Sequence, residues 1–253
     1  MQIKFAALTD IGLKRNKNED SYLTEKRSAG KSVNDEYQHH LFVIADGMGG
    51  HSCGEIASNM ACKGLVCFLD KIHNLPPYRI KKHLKKKFID IDAKIREHGF
   101  TDLSCMNMGT TLSAMVLSQE KAVIAHVGDC RIYHLHRNNL KLLTTDHSLV
   151  QEMVEEGIIT LEEGLKHPFR NKLTHVIGTN EPLELVETSH IDINAGDRFI
   201  LSTDGLHVNV SHKEIEDILS TSYSPHLAAE QLLAKALQGG GRDNITTIVI
   251  FLI

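Results

Sequence analysis

The stretch Leu41-Phe42-Val43-Ile44-Ala45-Asp46-Gly47-Met48-Gly49-Gly50 runs five apolar residues straight into Asp-Gly. A short apolar run bounded by turn residues reads as a strand buried on both faces. Its end places a carboxylate where the chain turns. The arrangement recurs along the sequence. Asp204 follows Arg198–Ser202 and opens Asp204-Gly205, and Asp129 follows Ala122–Val127 in Gly128-Asp129. Asp243-Asn244 stands directly before the apolar run Ile245–Leu252, and near the N-terminus Arg15 precedes Asn18-Glu19-Asp20.

Further runs read as strands: Ile3–Leu8, Thr111–Leu117, Arg131–His136, Leu140–Leu143 and Leu183–Ile191. Gly128-Asp129-Cys130 between two of them predicts a hairpin. Between the strands the period changes to that of helices. Gly54–Asp70 places Ile56, Met60, Ala61 and Leu65 at helical spacing, and Tyr78–His98 does the same with Ile80, Leu84, Phe88, Ile91 and Ile95. The lysines at 81, 82, 85, 86 and 87 then form the solvated face of that helix. Ser211 and Glu214 make a capping box for a later helix, and Ser224-Pro225 starts another that Gly239-Gly240-Gly241 ends. Many strands in series with helices in pairs predict an α+β chain of antiparallel sheets flanked by helix pairs. The segment from about 146 to 179, with a short helix over Ser148–Glu156, interrupts the strand series as a surface excursion or lid.

The 253 residues suffice for one large core, and no repeat or linker divides them, so 1–253 reads as a single domain. A net charge of -4 argues against a nucleic-acid partner, which needs a basic face. No signal peptide and no membrane span are legible, and the expected compartment is the cytoplasm. The five cysteines are odd in number and form no C-x-x-C pair, so a disulfide scaffold is not expected. Cys53, beside the Gly-rich turn, reads as a small packed thiol.

Each strand-end Asp is by itself an ordinary turn signal. If the ends converge, the carboxylates surround one point and repel unless cations neutralise them. Hard oxygen ligands without a Cys or His pair at zinc spacing favour Mg²⁺ or Mn²⁺. Gly47-Met48-Gly49-Gly50 matches neither a dinucleotide fingerprint nor a P-loop.

At these residues the sequence resembles the PPM family, the type 2C metal-dependent protein serine/threonine phosphatases, in its bacterial form. The resemblance covers nearly the whole chain in order: Thr9-Asp10-Ile11-Gly12, Arg15-Asn16-Lys17-Asn18-Glu19-Asp20, Asp46-Gly47-Met48-Gly49-Gly50-His51, Gly109-Thr110-Thr111, Gly128-Asp129-Cys130-Arg131, Thr145-Asp146-His147, Ser202-Thr203-Asp204-Gly205 and Gly241-Arg242-Asp243-Asn244. It implies a central β-sandwich of two antiparallel sheets between helix pairs, with 146–179 as the flap. It implies Asp46 bridging two Mn²⁺ or Mg²⁺ ions, with the Gly47 carbonyl, Asp204 and Asp243 completing their shells. Glu19 and Asp20 would hold waters on the metals, Asp129 with Asp204 would make a third metal site, and Arg15 would bind the substrate phosphate. Water activated by the metals would then attack phosphorus in line with the serine or threonine oxygen. The implied partners are phosphorylated proteins and a cognate serine/threonine kinase, for a monomeric enzyme in bacterial signalling.

The chain departs from the family pattern at several positions. Met48 stands where some members carry a proposed general acid, which leaves His51 or a metal-held water to protonate the leaving oxygen. Cys130 replaces a usual Ser, His126 a common Asn, and His175 a frequent Arg of the flap. A second reading is a pseudophosphatase serving as a regulatory binding module; intact Asp46, Asp204 and Asp243 argue for the enzyme. A third is a metal hydrolase of phosphorylated small molecules.

Overall fold

The computed structural model describes residues 1–28, 38–48, 53–72, 75–118 and 120–253. Strands β1 (Ile3–Asp10), β2 (Asp20–Ser28) and β3 (Gln38–Met48) come first. Helix α1 (Gly54–Gly64), a 3-10 turn at Leu69–Lys71, the long α2 (Pro77–Thr101) and a second 3-10 turn at Leu103–Cys105 follow. Then come β4 (Gly109–Thr110), β5 (Leu112–Ser118), β6 (Lys121–Val127), β7 (Arg131–His136) and β8 (Asn139–Leu142). The excursion carries α3 (Leu149–Glu155) and α4 (Leu161–Leu165). The chain ends with β9 (Glu187–Asp192), β10 (Arg198–Ser202), α5 (Asp204–His207), α6 (His212–Thr221), α7 (Pro225–Gln238) and β11 (Ile245–Leu252).

The strands form two sheets, one in the order β1-β11-β10-β7-β8 and the other β2-β3-β5-β6-β9, with β4 paired to β3. Every strand pairing is antiparallel. The alternation within β3 explains the layering. Phe42 and Ile44 point into the core between the sheets, with Met115, Ile132, Phe199 and Ile248. Leu41, Val43 and Ala45 point the other way, under α1 and α2, against Ala57, Ile80 and Leu84. The far face of the other sheet packs Ile200 and Val249 against Ile215, Leu219 and Leu232 of α6 and α7. Both faces of each central strand are thus covered, as its unbroken apolar run requires. The expected α+β sandwich between helix pairs is the observed architecture.

Four local expectations are corrected. β6 and β7 form no hairpin: β6 pairs with β5 and β9, whereas β7 pairs with β8 and β10 of the other sheet. Gly128, at φ +109, turns the chain across the sandwich, and a Cβ there would stand 2.5 Å from Thr111. The segment Asp20–Ser28 is a strand that the sequence hides, because an edge strand carries polar residues such as Glu25, Lys26 and Arg27. Helix α1 stops at Gly64 rather than near residue 70, and Cys67 adopts φ +59 in the turn that follows. Finally, Cys53 is not a packed thiol but is joined to Cys105 in a disulfide that links the start of α1 to the turn after α2. No spacing rule reveals such a pair, since it is made by the docking of α1 against α2. Cys62, Cys67 and Cys130 are free.

No helix among the described residues is long and apolar enough to cross a membrane. Capping follows the sequence closely: Ser211 accepts from the Glu214 amide while Glu214 accepts from the Ser211 amide. Pro225 sits in the first turn of α7, after the Ser224 cap. A second capping box, Thr160 with Glu163, starts α4, a helix that went unread in the sequence.

Candidate metal centre

Antiparallel pairing brings the acidic strand ends to one edge of the sandwich. β3, β6 and β10 finish there, and β2 and β11 begin there, so Asp46, Asp129, Asp204, Asp20 and Asp243 meet although five separate strand ends and both sheets supply them. In the β2–β3 register Asp20 lies directly opposite Asp46. Like charges in that position are destabilising by themselves. A cavity of about 270 Å³ opens at this edge, lined by Arg15, Glu19, Asp46, Gly47, Asp129, Asp204 and Asp243 among others. Asp20 stands one step back from it, its Oδ2 accepting from Thr203 Oγ1 (2.9 Å) and Thr246 Oγ1 (2.6 Å).

The backbone around Asp46 is tightly held. Thr111 Oγ1 accepts from the Asp46 amide at 2.9 Å, and Thr110 Oγ1 donates to the Asp46 carbonyl at 2.9 Å. Gly47 is obligatory on steric grounds, because a Cβ would lie 2.1 Å from the Gly54 carbonyl oxygen and 2.5 Å from that of Glu19. The Gly47 amide donates to the Glu19 carbonyl, which ties the two loops together. Gly205 is constrained in the same way by the Asn244 carbonyl, 2.0 Å from where its Cβ would be.

Asn244 organises the N-terminal loop. Its Nδ2 donates to the carbonyls of Ile11 and Lys17, both at 2.9 Å, and its Oδ1 accepts from the Glu19 amide at 2.8 Å. The sequence signalled Asp243 but not the role of its neighbour. A buried Asn between a turn and an apolar strand was the available sign, as were the threonines 203 and 246 beside the acidic positions. Arg15 Nη2 donates to Asp243 Oδ2 at 2.6 Å, with half of the arginine side chain exposed toward the cavity mouth.

Electrostatically the cluster is incomplete. Burial and then the charges of Asp20, Asp204 and Asp129 push the Asp46 carboxyl well above the ordinary carboxylate range. Burial and then Asp204 do the same to Asp129. Asp20 is pushed up to about 7, chiefly by burial and against the two threonine hydrogen bonds. Asp204 is raised to about 6 by burial and then Asp243, with Arg15 opposing. Glu19 is raised by burial and by Glu55. Asp204 is among the charges that raise Asp46, so the two carboxylates repel one another unless a cation neutralises them. Asp20 Oδ1 and Asp204 Oδ1 are buried and accept no hydrogen bond. Converging hard oxygens, mutual repulsion and orphaned acceptors are the features that divalent cations satisfy, so the residues fit Mg²⁺ or Mn²⁺.

The remaining expected residues fall around this core. Gly49, Gly50 and His51, the candidate proton donor, lie outside the described residues. Cys130 is buried with its Sγ 3.0 Å from Thr111 Oγ1, beneath the Asp46 backbone, and burial pushes its thiol well up. It therefore packs rather than reacts. His126 bonds Ser113 Oγ through Nδ1 (2.7 Å) and the Thr145 carbonyl through Nε2 (3.1 Å). Arg131 grips Asp146 with Nε and Nη2, which fixes the entry of the excursion against β7. His175 lies against the ring of His147. A second cavity, of about 440 Å³, adjoins the first and shares Met48, Asn171 and Leu173 with it.

Known proteins resemble this chain in both sequence and fold. The family described as protein phosphatase 2C matches residues 18–239. The "Serine/threonine phosphatase stp" of Listeria welshimeri is 34% identical over 96% of this chain and 93% of its own length. The solved serine/threonine phosphatase of S. agalactiae superposes with a TM-score of 0.90 at 32% identity, covering 100% of both chains. The catalytic domain of the serine/threonine protein phosphatase PstP, solved in complex with 2 manganese ions, superposes with a TM-score of 0.82 at 32% identity over 98% of this chain and 97% of that one.

Proposed function

The chain belongs to the protein phosphatase 2C family, and we propose that Asp46, Asp204 and Asp243 hold the divalent metal ions on which its dephosphorylation of serine and threonine residues in proteins depends. The observation that carries the assignment is the convergence of these carboxylates, with the unpartnered Asp204 Oδ1, on the cavity that Arg15 overhangs.

Bound Mn²⁺ or Mg²⁺ would supply Lewis acidity, lowering the pKa of water and neutralising phosphoryl charge. The protein's own groups do the rest. Asp46, the Gly47 carbonyl, Asp204 and Asp243 would hold the ions, and Asp129 with Asp204 would provide for a third. Glu19 and Asp20 accept hydrogen bonds from water and so orient it. Arg15 leaves Asp243 for the phosphate, since its fork matches two phosphoryl oxygens and holds phosphorus in line with the attacking water. His51 is the candidate donor of the proton that the leaving serine or threonine oxygen requires.

Residues 1–253 act as one catalytic domain in this proposal, with 146–179 as its flap. The adjoining 440 Å³ cavity, between Met48 and the flap residues Lys172, Leu173 and Val176, suits a peptide chain on either side of the phosphorylated residue. That favours phosphoproteins over small phosphate esters. The proposed setting is a monomer in the bacterial cytoplasm opposing a serine/threonine kinase.

The test is hydrolysis of p-nitrophenyl phosphate and a phosphothreonine peptide with Mn²⁺, Mg²⁺ or EDTA, for the wild type and Asp204→Ala. Turnover is expected with metal and not with EDTA, and the variant should lose about a hundredfold or more. Metal-independent turnover, or full activity in Asp204→Ala, would sink the assignment. Phosphopeptide binding without turnover under any metal would instead support the binding-module reading.

A further inference from the structure

A second group of metal-ligating side chains lies at the other end of the same sheet. β10 ends at the metal centre, before Asp204, and begins just after Asp197. Five strand residues at about 3.3 Å each separate the two ends by roughly 16 Å. His134 and His136 sit at alternate positions of β7 and therefore share a face with Ile132, which points into the core between the sheets. Asp197 is 2% exposed and lies against both: His134 Nε2 is 3.0 Å from Asp197 Oδ2, and His136 Nδ1 hydrogen-bonds Asp197 Oδ1 at 2.6 Å, a bond within the group that an ion between the two atoms would replace. The donor atoms of the three residues all lie within 4.8 Å of one another.

Three features single this group out. The triad is built rather than loose: the Asn194 amide donates to Asp197 Oδ2 at 2.9 Å, and the Leu252 amide donates to the Asp197 carbonyl at 2.9 Å. The His134 ring is stacked on Phe199 at 4.5 Å and 5°. Second, His134 Nε2 is buried and, although it lies in ion-pair range of Asp197, makes no hydrogen bond. A cation between that lone pair and the carboxylate would satisfy both. Third, side-chain exposure of 39% at His136 leaves the site a face open to water.

The two other groupings of this kind among the described residues are already spent. In one, the Cys105 thiol is in the disulfide. In the other, both ring nitrogens of His126 are hydrogen-bonded and His147 Nδ1 accepts from the Gly128 amide.

We propose that His134, His136 and Asp197 bind one imidazole-preferring transition-metal ion, Zn²⁺ being the type, at the end of the sandwich opposite the metal centre. Two imidazoles and a carboxylate with water in the open position suit Zn²⁺ and not Mg²⁺, which prefers oxygen. Metal–ligand bonds near 2.0–2.2 Å in a tetrahedral arrangement place neighbouring ligand atoms roughly 3.3–3.6 Å apart. The His134–Asp197 edge, at 3.0 Å, opens by a few tenths of an ångström. The His136 edge, at 2.6 Å, opens by roughly 0.7 Å or more, through movement of a partly exposed ring next to the Arg137–Asn138 turn. The ion would tie β7 to the turn before β10. It is independent of the phosphatase chemistry, and of the assignment of Asp46, Asp204 and Asp243.

The experiment titrates Zn²⁺ into the full chain in excess Mg²⁺, for the wild type, His136→Gln, His134→Gln and Asp204→Ala. Cu²⁺ serves in parallel as a paramagnetic probe of nitrogen ligation. The wild type and Asp204→Ala should bind the ion alike, with electron resonance showing coupling to imidazole nitrogen. Each histidine variant should bind it about tenfold or more weakly, and Mn²⁺-dependent turnover by the histidine variants, unchanged, certifies that they are folded. Equal Zn²⁺ affinity in the wild type and both histidine variants overturns the proposal. So does a wild-type Cu²⁺ spectrum without nitrogen coupling, or one that persists undiminished in the histidine variants.

Discussion

Arg15 and Asn244 show how much a single side chain does at this centre. Arg15 is half exposed and bonds Asp243 at 2.6 Å, so it is poised between that carboxylate and the cavity. Arg15→Ala should lower kcat/KM for a phosphopeptide by about 1.5–3 kcal/mol, the worth of a hydrogen bond to a charged group, which is roughly ten- to a hundredfold. Steady-state kinetics at saturating Mn²⁺ checks this, and Arg15→Lys should recover only part, lacking the fork. Asn244 acts through others, holding Ile11, Lys17 and Glu19. Asn244→Ala should cost about 1–3 kcal/mol in urea denaturation, since three part-buried backbone groups lose their partner. It should also weaken Mn²⁺ binding, because the loop bearing Glu19 is released. Asp243 was legible in the sequence as an acidic residue at a strand edge. The function of Asn244 was not, because a hydrogen bond spanning 225 residues leaves no local pattern.

Among the elements, the helices were the most legible, since caps and 3.6-residue periodicity are local properties. α6 is the clearest case, with a reciprocal capping box at Ser211 and Glu214 and buried Ile215 and Leu219. Ser211→Ala should lower global stability by about 1 kcal/mol, read by thermal or chemical denaturation, with activity unchanged. α4 was missed although Thr160 and Glu163 form the same box, because five residues are too few to show a period. The edge strand β2 was missed for a different reason: its composition answers to solvent on one side. β6 and β7 show the limit most plainly. Their sequences and the turn between them satisfy a hairpin, yet each strand finds better partners in a different sheet.

For the molecule as a whole, several histidines are buried in neutral form. Burial pulls His40 and His147 down to about 4 and His126 and His207 down to about 3. The unfolded chain takes up these protons near pH 6.5, which the folded protein refuses until much lower pH. Their contribution to stability is therefore complete above about pH 6.5 and is lost as the pH falls toward about 4. His40, far along β3 from the centre, isolates the effect. In His40→Gln the fall of Tm between those limits should be shallower than in the wild type, and equal slopes would refute its part. The sequence by itself determined the apolar strand runs, the helix caps, the α+β class and the list of acidic strand ends, because each depends on neighbours within a few residues. Only the tertiary structure decided that β6 and β7 part company at Asp129, that Cys53 meets Cys105, and that Asp20 faces Asp46 across a register. These depend on which surfaces bury best against which, a choice made by the whole core at once. That same choice turns turn-forming aspartates, ordinary one by one, into a cluster that repels itself and needs cations.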